Sequence, residues 1–133
     1  MNIKFLVILL GLIIAETITA QNQVSLLEME KVKDHLTLNA DQYKTINAKV
    51  GQIKDVIEED KKIIASLKVR FKSGDEPGFF EKINVKRSRD ARINQIEELL
   101  ESIVDNLNDP QKIKYKDIKK PALKSLNKKE LTE

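Results

Sequence analysis

The chain has 133 residues, enough for one small domain and too few for two. It has no cysteine, which excludes disulfide bonds, thiolate metal sites and lipid attachment through a cysteine. Lysine, glutamate, isoleucine and leucine dominate, glycine, proline and aromatic residues are scarce, and the formal net charge is only +3. This composition is typical of long helices and predicts an all-α protein.

The first twenty residues have the layout of a secretory signal peptide. Lys4 gives a basic start, residues 5–15 (FLVILLGLIIA) are apolar without interruption, and the more polar ETITA follows. A membrane-spanning helix needs about 20 apolar residues, and Glu16 ends this run too early. We therefore expect residues 1–20 to be a signal peptide cleaved after Ala20, with a retained anchor as the alternative.

The sequence after Ala20 predicts helices from the outset. Ser25 and Glu28 have the spacing of a capping box, which predicts a short helix over residues 26–36. Asn39 and Gln42 repeat this spacing and predict the beginning of a second helix.

The second helix carries an apolar stripe. Its apolar residues recur at alternating steps of three and four, with Asp60 as the interruption. Residues 73–78 (SGDEPG) combine glycine, proline and short polar residues, so they predict a turn. A third helix is expected over residues 79–107. The stripe consists of Tyr43, Ile46, Val50, Ile53, Ile57, Ile64, Leu67 and Phe71.

The third helix matches the second position by position when the two are folded antiparallel about that turn. In this register Ile96 faces Ile53, and Arg89 comes opposite Asp60. The charges that interrupt the two apolar stripes therefore meet each other. We predict an ion pair between Asp60 and Arg89, which fixes the register because a slipped hairpin leaves each charge unpaired.

The boundary that begins the second helix occurs again before a fourth. Leu107, Asn108 and Gln111 repeat the spacing of Leu38, Asn39 and Gln42. Asn108 is expected to cap the fourth helix, with Pro110 in its first turn, where no backbone donor is needed. A single helical domain is therefore expected over residues 21–121, and the lysine-rich residues 122–133 are expected to form a flexible tail.

These boundaries carry a family resemblance. Leu-x-x-x-Gln occurs twice, and each copy begins a helix beside the central hairpin. In this the chain resembles the LTXXQ-motif (Spy/CpxP-like) family of periplasmic proteins over about residues 25–120. Asparagine stands at positions 39 and 108 where the family has threonine, and asparagine preserves the capping chemistry.

The resemblance implies a fold and a choice of functions. The expected fold is a curved, dimeric cradle of four helices in the periplasm. One expected function is ATP-independent binding of unfolded or stress-damaged proteins as a chaperone. The alternative is an envelope-stress regulator or metal-stress accessory protein that binds a membrane sensor domain.

The beginning of the third helix offers a mixed apolar and basic surface for client proteins. Such a surface attracts acidic segments at long range and holds apolar segments weakly at contact. The alternative is that its bases pair with Glu58, Glu59 and Asp60 on the neighbouring helix. The candidate client-binding residues are Phe79, Phe80, Lys82, Ile83, Lys86, Arg87 and Arg92.

Other functions lack the residues that they need. His35 is the sole histidine, so no metal site is predicted, although a dimer would bring two copies of His35 together. Neither a glycine-rich phosphate loop nor a Ser-His-Asp set in a suitable context is present, so we expect no catalysis and no cofactor. Residues 111–133 are rich in lysine but have Tyr115 as their one aromatic residue, so no nucleic-acid partner is expected.

The signal-peptide hypothesis predicts a defined N-terminus. Expression of the complete chain in a Gram-negative host, followed by cell fractionation and intact-mass measurement, is expected to give a periplasmic product that begins at Gln21 or its pyroglutamate. A product in the membrane fraction that keeps residues 1–20 would contradict cleavage and support a retained anchor.

Overall fold

The described part of the protein is helical throughout. A computed structural model describes residues 23–124 and 126–132, and within these ranges it contains no β-strand, so the predicted all-α class is confirmed. The helices are α1 (Met29–Leu36), α2 (Ala40–Lys72), α3 (Phe79–Asp105), α4 (Asp109–Tyr115) and α5 (Lys128–Thr132). None of these described helices is both long enough and apolar enough to cross a membrane. The predicted signal peptide, residues 1–20, lies outside the described residues.

The first helix begins later than its sequence spacing predicts. Ser25 lies in an isolated bridge with Lys119, and the backbone N–H of Leu26 donates to the Lys119 carbonyl at 2.9 Å. Because this segment pairs with the far end of the chain, Ser25 does not cap a helix. Glu28 takes the N-cap position without a side-chain capping bond, and α1 begins at Met29.

The longest helix, α2, has 33 residues. At a rise of about 1.5 Å per residue it is about 50 Å long. Its predicted cap forms a complete capping box: the Asn39 side chain accepts from the Gln42 N–H at 2.8 Å, and Gln42 Oε1 accepts from the Asn39 N–H at 3.1 Å. The helix ends at Lys72, and Gly74 (φ 78°) provides the left-handed conformation of the following turn.

Helices α2 and α3 pack against each other on either side of that turn. Near the turn, Arg70 donates to Asp75 at 3.0 Å and to Glu81 of α3 at 2.7 Å. Helix α3 ends at Asp105, two residues before its predicted end. It stops there because the chain turns back through Asn106 toward the beginning of α4.

The hydrophobic core lies at the end of the long helices that is remote from the turn. Here α1, the first part of α2, the second part of α3 and α4 bring their apolar faces together. The core cluster stops at Val56 on α2 and at Ile96 on α3, so the end near the turn depends on other contacts. The fully buried residues of the cluster include Leu26, Val32, Leu36, Ile46, Val50, Ile53, Ile103 and Ile118.

The C-terminal residues, predicted to be a flexible tail over residues 122–133, pack against the domain as far as they are described. Leu123 packs against the core cluster, and Leu131 is only 8% exposed. Helix α5 packs against α2. The abundance of lysine predicts fraying, but the leucines between the lysines give this segment an apolar side that packs against the rest of the domain.

The two capping boxes are hydrogen-bonded to each other. The Asn108 and Gln111 box has the same two bonds as the first, each 2.9 Å long. Gln42 Nε2 donates to Gln111 Oε1 at 2.8 Å, and Gln111 Nε2 donates to Gln42 Oε1 at 3.0 Å and to the Leu36 carbonyl at 3.2 Å. Gln42 Nε2 also donates to the Asn106 carbonyl at 2.9 Å. The two glutamines therefore join the beginnings of α2 and α4 to the ends of α1 and α3.

The remaining residue of each repeat contributes to the core. Leu38 is 7% exposed and Leu107 is 6% exposed, and both belong to the core cluster. Each repeat thus supplies a leucine to the core, an asparagine that caps a helix and a glutamine that links the two caps.

The glutamine link predicts a large and non-additive effect on stability. Gln111→Ala is expected to lower the free energy of unfolding by about 2–4 kcal/mol, because it leaves the Gln42 amide and the Leu36 carbonyl short of partners in a buried site. Gln42→Ala combined with Gln111→Ala is expected to show a coupling of about 1 kcal/mol in a double-mutant cycle followed by urea unfolding.

Gln52→Ala provides the matched control, because Gln52 is exposed on α2. Its effect is expected to stay within about 0.5 kcal/mol. Additive effects of the Gln42 and Gln111 substitutions would contradict a direct link between the boxes.

Candidate functional site

Charged residues of the two long helices form a buried cluster beyond the end of the core. Asp60 on α2 is 3% exposed, and Arg89 and Arg92 on α3 are 8% and 7% exposed. Arg89 Nε lies 3.4 Å from Asp60 Oδ1, and Arg92 Nε donates to the same oxygen at 3.0 Å. The structure therefore brings the predicted partners Asp60 and Arg89 together and adds a second cation. We call Asp60, Arg89 and Arg92 the ion triad.

Arg92 corrects the set of predicted client-binding residues. It follows Arg89 by three residues, so both side chains leave the same face of α3 and meet Asp60. A buried guanidinium is not available to a client, and Arg92 is therefore excluded from the candidates. The alternative pairing of α3 bases with acids of α2 applies to Asp60, whereas Glu58 and Glu59 are exposed and form no such pair in the described chain.

The ion triad has an excess of positive charge and connects three parts of the chain. Two guanidinium groups face one carboxylate, so its formal charge is +1. Burial of these groups costs desolvation energy, which close contacts and hydrogen bonds must offset. Arg89 Nη2 also donates to the Lys124 carbonyl. The ion triad therefore connects α2 and α3 with the C-terminal segment.

A cavity of about 470 Å³ lies between the ion triad and the turn. Helices α2 and α3, the turn and residues 126–131 contribute its walls. No sequence pattern indicates this cavity, because one wall comes from residues 126–131, which belong to the segment that the sequence predicts to be flexible. The apolar part of the wall includes Leu67, Phe71, Pro77, Val85, Ile93 and Leu131.

The first turns of α3 carry an exposed apolar surface next to basic side chains. Phe79 and Phe80 are 72% and 79% exposed, and their rings are in edge contact with centroids 5.6 Å apart. Ile83 is half-buried, while Lys86 and Arg87 are exposed. Helical spacing aligns Phe79, Ile83 and Lys86 in one row and Phe80 and Arg87 in the next. We call these five residues the α3 face.

The predicted bases at the beginning of α3 differ in their partners. Lys82 donates to Glu76 of the turn at 3.0 Å, and this bond, followed by the charge of Lys128, lowers the pKa of the Glu76 carboxyl. Lys86 and Arg87 form no ion pair with any described residue. Lys82 is therefore partly engaged within the protein, whereas the two bases of the α3 face remain available.

His35 lies half-buried near the end of α1. Its Nε2 is buried without a hydrogen-bond partner among the described residues. Within the same part of the chain, no group of three or more histidine, aspartate or glutamate residues is arranged to hold a metal ion.

No model of a known protein family matches this chain, and no curated protein or solved structure is similar to it. The resemblance to the LTXXQ-motif family therefore depends on the two Leu-Asn-x-x-Gln boundaries and on their position beside the long helices.

The ion triad predicts that removal of its one carboxylate is costly. Asp60→Asn is expected to lower the free energy of unfolding by about 3–5 kcal/mol, because it leaves two buried guanidinium groups without a counter-charge. The combination of Asp60→Leu, Arg89→Met and Arg92→Met is expected to restore most of this loss. Chemical denaturation followed by circular dichroism measures both.

Glu59→Gln makes the matching carboxylate-to-amide change on the exposed neighbour. Its effect is expected to remain within about 0.5 kcal/mol. A cost for Asp60→Asn no larger than this would show that the ion triad is not a structural requirement.

Proposed function

We propose that this protein is a periplasmic, ATP-independent chaperone that binds unfolded or aggregating proteins through the α3 face. The observation that carries the proposal is the exposure of Phe79 and Phe80, 72% and 79%, beside Lys86 and Arg87, which have no acidic partner among the described residues. Large apolar side chains that stand together on a surface are a mark of interaction sites. The paired rings and the adjoining charges suit the apolar and acidic segments that unfolded chains expose.

The size of the α3 face favours weak and transient binding. Removal of one phenylalanine side chain from water contributes about 1.5–3 kcal/mol. Two such side chains supply about 3–6 kcal/mol, part of which is lost to the entropy of association. A dissociation constant of one millimolar corresponds to about 4 kcal/mol and one of one micromolar to about 8 kcal/mol, so the two rings alone give binding near the millimolar end of this range. A client held in this way is released again without an energy source.

The proposal includes a hairpin of α2 and α3 as the body of a curved dimeric cradle. Arg70 contacts Glu81 near the turn and Asp60 contacts Arg89 farther away, so the partner numbers rise on one helix and fall on the other. This order supports an antiparallel hairpin. The dimer and the curvature are supported by the resemblance to the LTXXQ-motif family.

The chaperone proposal predicts suppression of aggregation. The purified protein is expected to reduce light scattering when a chemically unfolded client is diluted into buffer without ATP, with strong reduction near one dimer per client. Phe79→Ser with Phe80→Ser is expected to raise the required ratio by about threefold or more, because the aromatic contacts are lost. Lys86→Glu with Arg87→Glu is expected to weaken suppression chiefly at low salt, because salt screens exposed charges.

Matched controls come from other exposed positions. Ile113 on α4 is 67% exposed, so Ile113→Ser removes a comparable apolar side chain outside the α3 face. Lys44→Glu reverses a charge at the exposed beginning of α2. Both controls are expected to retain suppression, and equal losses in all variants would exclude the α3 face as the binding surface.

Absence of suppression at every ratio would contradict the chaperone proposal. The regulator alternative then predicts saturable binding of one envelope sensor domain, which a pull-down from envelope extracts and titration of the purified domain would measure. Light scattering on a size-exclusion column gives the mass of the protein in the same preparation and tests the proposed dimer.

A further inference from the structure

The cavity near the turn combines an apolar interior with charged residues. Its volume of about 470 Å³ lies in the range of about 300–1,000 Å³ that small-molecule sites occupy. Leu67 and Phe71 of α2, Val85 and Ile93 of α3 and Leu131 of α5 supply apolar walls from three directions. Such an interior favours a hydrocarbon group over water.

The charged residues that line the cavity in the described part of the chain have a positive excess. Lys82, Lys86, Arg89 and Lys128 contribute four positive charges, and Glu76 and Asp90 contribute two negative ones, which leaves 4 − 2 = +2. Asp60 and Arg92, which contact or adjoin Arg89 in the ion triad, add one charge of each sign and leave the excess unchanged.

Existing ion pairs single out one base of the cavity. Lys82 and Lys128 lie 3.0 and 3.5 Å from Glu76, and Arg89 faces Asp60. Lys86 forms no ion pair with any residue in the described ranges. Among the described residues of the cavity, Lys86 therefore offers an anionic group an ammonium group outside any ion pair, and the charges of these residues are positive overall.

We propose that this cavity binds one single-chain amphiphile with a carboxylate head group, a long-chain fatty acid. The hydrocarbon chain lies among Leu67, Phe71 and Ile93, and the carboxylate accepts hydrogen bonds from the Lys86 ammonium group. A cationic head group would add to the positive excess, and a neutral head group would leave it uncompensated. The apolar walls select the chain, and the charge selects the head group.

This inference is independent of the proposed chaperone function. Phe79, Phe80 and Arg87 of the α3 face do not line the cavity, and Lys86 is the one lining residue that belongs to both. Fatty-acid binding and suppression of aggregation can therefore succeed or fail separately.

Calorimetric titration of the purified protein with saturated fatty acids, from octanoate to stearate and below their micellar concentrations, tests the proposal. One molecule per chain is expected to bind. Affinity is expected to rise about fourfold with each methylene group until the cavity is filled, and then to stop rising. Alcohols and alkyltrimethylammonium ions of equal chain length are expected to bind about tenfold more weakly or worse.

Two adjacent residues of α3 provide a matched pair of variants. Lys86→Glu is expected to weaken binding of the fatty acid at least about tenfold, because the head group loses its ammonium partner and meets a carboxylate. Arg87→Glu makes the same change of charge one residue away, outside the cavity, and is expected to change affinity by less than about twofold. Val85→Phe narrows the cavity and is expected to end the rise of affinity at a shorter chain.

Three results would overturn the proposal. The first is equal affinity for carboxylate and trimethylammonium head groups on the unaltered protein, a comparison that needs no variant. The second is binding that does not saturate at one molecule per chain. The third is tighter binding of an anionic lysophospholipid than of the fatty acid with the same chain, which would assign the cavity to membrane lipids instead.

Discussion

The buried contact between Asp60 and two arginines is the constraint on which the half of the molecule near the turn depends. The core cluster ends at Val56 and Ile96, so beyond these residues no continuous apolar core holds α2 and α3 together. A buried carboxylate between two guanidinium groups sets the register there, because any slip along the helices would separate charges that water cannot reach. Through the Lys124 carbonyl, the same contact places the C-terminal segment and so closes one wall of the cavity.

At the opposite end the corresponding constraint is neutral. Gln42 and Gln111 bind each other and accept or donate at both capping boxes, so four helix ends converge on two amide groups. A glutamine amide has both donors and acceptors, and this is why two identical side chains can satisfy each other where two carboxylates or two lysines would repel. The two copies of the Leu-Asn-x-x-Gln motif thus act together, because the glutamine of each copy is the hydrogen-bond partner of the other.

Features that depend on neighbours in sequence can be predicted from the sequence alone. Composition and apolar period predict the helices, and fixed spacing identifies Asn39 and Asn108 as caps. Contacts between distant segments are harder to predict from the sequence. The spacing of Arg92 and Arg89 places both on one face of α3 and indicates that Arg92 is buried with Arg89. The abundance of basic residues in this part of α3 favours the opposite interpretation, an exposed basic surface. No comparable sequence pattern predicts the packing of Leu131. The apolar residues around it are separated by lysines, and the segment is stabilised only by packing against the two long helices.

The core contacts of α3 and the α3 face lie at opposite ends of this helix, and this separation has an evolutionary consequence. Replacement of Phe79 or Phe80 removes little buried area, so it carries little penalty in folding free energy. Under the proposed function, natural selection can therefore alter partner preference near the turn by single substitutions while the glutamine-linked end remains unchanged. Divergence among descendants of this protein is expected to concentrate in the first turns of α3, and the asparagine and glutamine positions of the two boundaries are expected to diverge least.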